Sequence, residues 1–238
     1  MTRSPVIVAL DVESAAEARA LLAALGDSAS FYKVGLELYT SAGMDFVREL
    51  KSRGHRVFLD LKLYDIGETV RRAVAQVSRA SVDFLTVHGS RAVMRAAVAG
   101  IQEAGTQDAA GVGPLQLLAV TVLTSFDESD LQQMGYPCSV TELVALRVRN
   151  AMEAGVNGVV CSPLEVSRVR EIAGPAAILV TPGVRSAGAS TGDQKRVATP
   201  AEAIANGADY LVIGRQVTRA PDPRGEMLKI LGEIEAAR

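Results

Sequence analysis

The sequence predicts an α/β protein built as a single (β/α)8 TIM barrel, and three observations point there. Eight short runs rich in aliphatic and β-branched residues alternate with longer amphipathic stretches along all 238 residues. Polar residues gather at the C-terminal ends of those runs, where barrels of this type assemble their chemistry. No linker or shift in composition divides the chain, so residues 1–238 are expected to form one catalytic domain.

The first strand is expected at 6–12 (VIVALDV), followed by a helix over 14–25 that opens on a serine. Strands two and three are expected at 31–38 (FYKVGLEL) and 56–63 (RVFLDLKL), with a helix over 67–80. The fourth, at 83–89 (DFLTVHG), leads to a helix over 91–105, and the fifth, at 115–123 (LQLLAVTVL), to one over 139–155. Strands six to eight are expected at 158–162 (GVVCS), 177–182 (AILVTP) and 210–214 (YLVIG). Several helical stretches have Ser or Thr near the start and Gly at the end, the usual stop and start chemistry. Strict β–α alternation implies a parallel sheet. Eight units in this length favour a closed barrel over an open doubly wound sheet. The dinucleotide-binding version of the open sheet also lacks its glycine fingerprint, since ALDVES follows strand one.

Composition narrows the partners. Hydrophobic residues make up 48% of the chain but aromatics only 4%, with no Trp, so Val, Leu, Ile and Ala must build the core and extensive base stacking is not expected. Net charge is −2 and no basic run exceeds two residues, which argues against nucleic acid or a membrane surface as partner. Cys138 and Cys161 form no CxxC pair, so neither a disulfide framework nor a zinc site is expected, and Cys161 should be buried in a strand. The apolar stretch at the N-terminus is too short for a signal-peptide core, and no segment approaches the roughly 18 apolar residues of a membrane span. A soluble cytoplasmic protein is the expectation.

Asp11 ends strand one, Lys33 lies in strand two, Asp60 and Lys62 end strand three, and His88 ends strand four; Thr124 follows strand five and Arg215 strand eight. Any one of these has an ordinary explanation, Asp11 as a helix cap or surface charge, for example. Their recurrence at one end of successive strands suggests a site. In strand three, period-two alternation sends Val57, Leu59, Leu61 and Leu63 to one face. Phe58, Asp60 and Lys62 take the other, with the two charges roughly 7 Å apart by strand rise. Asp65 breaks the parity and is expected in the loop beyond. A self-neutralising buried pair is the alternative, but desolvating such charges costs several kcal/mol or so per ion, and apolar replacements often do as well. Carboxylates beside Lys62 favour an ammonium, suited to stabilising an anion and donating a proton rather than to forming a Schiff base. His88 is expected to be a hydrogen-bonded structural residue.

The stretch TPGVRSAGASTGDQ (181–194) is long for a βα connection and is either a lid or an ordinary loop. IGRQ (213–216) leaves strand eight where barrels often hold a phosphate; Gly214 permits close approach and Arg215 can pair with a phosphate bidentately.

Taken together, ALDV (9–12), KVGLEL (33–38), DLKLYDI (60–66), TVHG (86–89), VTVLTS (120–125), CSP (161–163), TPGVR (181–185), GDQKRVATP (192–200) and VIGR (212–215) resemble the orotidine 5'-monophosphate decarboxylases over nearly the whole chain. The resemblance implies a cofactor-free, metal-free homodimer that converts its nucleotide substrate to UMP. It makes Lys62 the proton donor at C6, flanked by Asp60 and by an Asp65 contributed by the partner subunit. It places Asp11 and Lys33 on the ribose, Lys33 also in the charged network, and Thr124 on the pyrimidine. Gln194 would bridge base and phosphate, Gly214 and Arg215 would hold the phosphate, Pro182 and Arg185 would line the substrate side, and Thr69 would reach the partner's ligand. Tyr64 and Gly67 depart from the His and Pro often found there, which bears only on the shape of the loop delivering Asp65. A Mg2+-dependent sister enzyme acting on a sugar phosphate, and a non-catalytic phosphate-binding barrel, are the rival readings.

Overall fold

The structure is a computed structural model that describes residues 4–105, 114–187 and 198–237. Its eight strands close into a barrel in chain order, β1 pairing with both β2 and β8, and every pairing is parallel. The strands are β1 (Val6–Ala9), β2 (Phe31–Gly35), β3 (Arg56–Leu63), β4 (Phe84–His88), β5 (Gln116–Val120), β6 (Gly158–Val160), β7 (Ile178–Thr181) and β8 (Tyr210–Ile213). Helices α1 (Ala15–Leu25), α2 (Leu36–Ser52), α3 (Gly67–Arg79) and α4 (Arg91–Ala104) follow the first four. Then come α5 (Glu128–Gln133), α6 (Val140–Ala154), α7 (Val166–Ala173), α8 (Pro200–Ala205), α9 (Arg215–Thr218) and α10 (Pro223–Glu235).

The near-continuous apolar runs are explained by burial on both faces. Val6 and Val8 of β1 pack outward under the helices, whereas Ile7 and Ala9 join Phe31, Phe58, Phe84 and Leu118 inside the barrel. Local chemistry fixes the helix ends as expected. Ser14 caps α1 by accepting from the Glu17 N–H; Ser139 and Glu142 form a capping box on α6, which Gly155 stops in the left-handed conformation.

Three expectations require correction. Most strands stop short of their apolar runs: Leu36–Leu38 open α2, and Val122 and Leu123 fall in the loop after β5, because the barrel needs only a few paired residues per strand before the chain turns. Asp11 therefore lies just beyond its strand, and Cys161, though buried, is not in one; Thr124 follows β5. The alternation of β3 also breaks earlier than Asp65. Leu59 pairs with Leu85 but Leu63 with Val87, so β3 carries two extra residues against β4. Finally, His88 Nδ1 has no hydrogen-bond partner among the described residues; the ring is instead stacked on Tyr64. Among the described residues, no helix is long and apolar enough to cross a membrane.

The N-terminal end of the barrel is filled by an aromatic plug. Phe31, Phe84 and Tyr210 meet edge to face at centroid separations of 5.2 to 5.7 Å. The Arg56 guanidinium lies 4.0 Å from the centre of the Phe31 ring and 3.2 Å from Asp83. Asp83 is held in turn by Lys51 at 2.6 Å and by the Val57 N–H at 2.9 Å. Replacing Arg56 removes both the cation over the rings and one partner of a half-buried carboxylate. Arg56→Ala should lower the unfolding free energy by about 2–3 kcal/mol in denaturant titrations.

Candidate active site

The opposite, C-terminal end carries the charges. Its organising residue is Asp60, late in β3, whose side chain is only 14% exposed. One oxygen, Oδ1, is 2.9 Å from Lys62 Nζ and accepts from the Thr86 hydroxyl at 2.9 Å. The other, Oδ2, lies 3.6 Å from Lys33 Nζ, and Lys33 Nζ donates to Asp11 Oδ1 at 2.8 Å. The result is a row of alternating charge, Asp11, Lys33, Asp60, Lys62, supplied by β2, β3 and the turn after β1. The two inner members are the least exposed and both ends are open: the Lys33 side chain is 10% exposed and Asp60 14%, against 37% for Lys62 and 52% for Asp11.

The extra residues in β3 are what bring Lys62 into this row. Lys62 adopts φ 50°, a left-handed conformation that costs roughly 1–2 kcal/mol for a side-chain-bearing residue. Thr86 Oγ1 holds it there by accepting from the Lys62 N–H at 2.9 Å while donating to Asp60. One hydroxyl thus fixes both the backbone of the lysine and the carboxylate of its partner.

The row is charged because its members are together. Burial alone would push Lys33 down, but Asp60 and Asp11 outweigh it and raise the ammonium above its ordinary range. Burial would likewise raise Asp60, yet Lys33, Lys62 and the Thr86 hydrogen bond hold it below the usual carboxylate range. Gly35 leaves room for this: a Cβ there would lie 3.0 Å from Lys33 Nζ and 3.3 Å from Asp11 Oδ1.

The charged row forms one wall of a cavity of about 390 Å³. A second wall is aliphatic, with Val120, Val122, Val160 and Val212 around Thr124 and Cys161. The third is cationic: Arg185, Arg215 and Arg219, with Gly183 and Gly214 between them. Arg185 is pinned by its own N–H to Ala198 O at 3.0 Å and by Nη1 to Val184 O at 2.7 Å. Gln216 in α9 ties that loop down, accepting from Ser186 N at 3.1 Å. Burial, and then the Arg215 cation, lower Arg185 from its ordinary value. Gly214 is not in the left-handed region, and a Cβ there would meet Ala9 at 3.6 Å in ordinary contact. Its value is the space left beside Asp11 and Arg215.

The cavity is lined by Asp11, Lys33, Asp60, Lys62, Thr124, Pro182, Arg185, Gly214 and Arg215. It does not include Asp65 or Thr69. Asp65 is exposed beyond β3, its Oδ1 accepting from the Ile66 N–H at 2.6 Å, and Thr69 is exposed on α3. Gln194, with residues 188–194 of the expected lid, lies outside the described residues. Sequence reasoning missed Thr86, Gly35, Glu37 and Arg219. Thr86 had a signal, because alternation puts it on the same inward face of β4 as Phe84.

A family model described as orotidine 5'-phosphate decarboxylase / HUMPS matches residues 4–230. The chain belongs to this family. Among members of the orotidine 5'-phosphate decarboxylase / HUMPS family, it is 49% identical to orotidine 5'-phosphate decarboxylase of Methylobacterium nodulans over 99% of this chain and 97% of that one. It is 50% identical to the Caulobacter sp. protein of the same name, over 96% of both. The crystal structure of orotidine 5'-phosphate decarboxylase from Lactobacillus acidophilus, 36% identical, superposes with a TM-score of 0.84 over 98% of this chain and 99% of that one.

The linkage signs follow from the shifts. Asp60 is lowered in the fold, so its stabilisation is complete above the unfolded carboxylate value near 4 and is lost as pH falls through the lower folded value. Lys33 is raised, so its stabilisation is complete below the unfolded value near 10.4 and is lost as pH rises through the higher folded one. Melting temperature measured against pH should lose part of its acid limb in Asp60→Asn and part of its alkaline limb in Lys33→Met.

Proposed function

We infer that this chain decarboxylates orotidine 5'-phosphate to UMP and CO2, a step of pyrimidine biosynthesis. The observation that carries the reading is the alternating row Asp11–Lys33–Asp60–Lys62 lining one cavity of about 390 Å³ together with Arg185 and Arg215. Family membership and full-length relatives bearing that name support it.

In this reading the 5'-phosphate binds Arg185 and Arg215 beside Gly214, with Pro182 along the same side. Asp11 and Lys33 take the ribose hydroxyls. Thr124 meets the pyrimidine, and Gln194 bridges base and phosphate. The substrate carboxylate then lies against Asp60, with Lys62 beside C6. When the C6–carboxylate bond breaks, its electron pair stays on C6 and CO2 departs. The Lys62 ammonium, already positioned by Asp60 and the Thr86-held backbone, stabilises that charge and gives C6 its proton. The lysine then regains a proton from water. No step requires a metal or cofactor. Asp60 favours this reading over the Mg2+-dependent sister chemistry, because its oxygens are already engaged by Lys62, Thr86 and Lys33. A non-catalytic barrel would have no use for so costly a charged wall.

We further infer a homodimer in which Asp65 and Thr69 complete the partner's site. Both are exposed in one chain, and beside Asp65 the large apolar side chains of Tyr64 and Ile66 are 68% and 77% exposed. Residues 1–238 act in this reading as one catalytic domain, and a cytoplasmic location fits a biosynthetic enzyme of this kind.

Lys62→Ala should lower turnover of orotidine 5'-phosphate by at least about a thousandfold, followed by ultraviolet absorbance, while UMP still binds in calorimetry. Near-normal turnover would remove the mechanism, and loss of activity after EDTA treatment would favour the metal-dependent rival. Lys62→Ala and Asp65→Ala chains, each inactive alone, should recover about a quarter of wild-type activity after being unfolded and refolded together, since half the dimers then hold one intact shared site. No recovery from chains shown to mix would refute the sharing of Asp65.

A further inference from the structure

His88 ends β4 at the rim of the active site, yet it does not line the cavity and no step above uses it. Its position is fixed from below. Gly89, the next residue, is packed so closely that a Cβ would fall 2.6 Å from Val120 O and 2.9 Å from Arg147 Cδ. Arg147 in α6 donates to the Thr121 carbonyl and, at 2.8 Å, to the Tyr136 hydroxyl, clamping the ends of β4 and β5. His88 thus stands on a braced platform, and its Nδ1 is buried with no hydrogen-bond partner among the described residues.

What the ring does touch is Tyr64. The two centroids are 4.1 Å apart with planes inclined by 30°. Tyr64 is otherwise an exposed side chain, at 68%, and it immediately precedes Asp65. Among the described residues, His88 supplies the aromatic ring stacked on Tyr64. Residues 64–66 lie beyond the paired part of β3, so no strand pairing orients them.

We propose that His88 is a positioning residue: by stacking on Tyr64 it sets the loop after β3 and so the direction in which Asp65 is presented. The role rests on the reading of Asp65 given above. Burial, followed by the neighbouring Arg147 cation, keeps the imidazole below its ordinary range, so a neutral ring is stacked on the phenol near pH 7. An aromatic ring is the requirement; a hydrogen-bonding nitrogen is not.

The test is a double-mutant cycle on the full chain. His88→Ala and Tyr64→Ala should each lower kcat for orotidine 5'-phosphate about tenfold to a hundredfold, the scale of a modest misplacement, with UMP affinity within about twofold of wild type. The double variant should be no worse than the poorer single one. His88→Phe and Tyr64→Phe should keep most of the activity, which also controls for variants that fold poorly. Unimpaired His88→Ala beside an active wild type, or losses that multiply in the double variant, would overturn the role of His88 alone. An inactive wild-type chain would instead overturn the proposed reaction. A crystal structure of His88→Ala tests the placement either way: residues 64–66 should shift by about 1 Å or more, and an unmoved loop would overturn the proposal.

Discussion

Keeping Asp60 ionised inside the barrel mouth is the constraint on which the rest of the site depends. A carboxylate so little exposed would ordinarily take up a proton, and only the combination of Lys33, Lys62 and Thr86 holds it as an anion. Each partner then acquires its own requirement. Lys33 needs Asp11 on its other side, Gly35 must lack a side chain, and Lys62 must leave regular β geometry to reach. The register shift in β3 and the left-handed Lys62 are therefore consequences of one buried charge. Thr86 keeps the strained lysine from relaxing, since the same hydroxyl binds the carboxylate and the backbone N–H.

Such a wall stabilises little. Two cations and two anions neutralise one another, but their desolvation offsets much of the attraction. The barrel places its compensating structure at the far end, where Phe31, Phe84 and Tyr210 enclose Arg56 and the surrounding strands are apolar on both faces. Arg56 and Lys33 illustrate the contrast. Arg56 lies on aromatic rings with a well-partnered Asp83, so its charge is consumed by packing. Lys33 is held between two carboxylates on the wall of the cavity, with no aromatic packing around it to take up its charge.

The fold was legible because a parallel barrel is repetitive: apolar runs at regular intervals have few other arrangements. Much of the site was legible for a related reason, since charge confined to the C-terminal ends of strands singled out Asp11, Lys33, Asp60 and Lys62. What escaped was conformational or disguised. Nothing in DLKL distinguishes an alternating strand from one with two unmatched residues, because that register is decided by Thr86 across the sheet. Thr86 itself looked like any β-branched strand residue. His88 looked like a residue in need of a hydrogen bond, and only the fold shows that its partner is the face of Tyr64. Asp65 was assigned beyond the strand by parity and lies there, exposed, with the Ile66 N–H on its Oδ1.

The charged row and the cationic wall of the cavity work on different principles. At the charged row, attraction between members holds the geometry before any ligand arrives. At the cationic wall, burial and then the neighbouring Arg215 cation lower Arg185 from its ordinary value. In the proposed reaction a phosphate bound beside Arg185 gains affinity that has no direct part in breaking the bond. Binding energy realised at a distance can then hold the reacting carbon against Asp60 and Lys62, whose arrangement is complementary to charge developing on C6. The protein need not distort itself to create the reactive geometry, because the Asp60 network has already fixed it during folding.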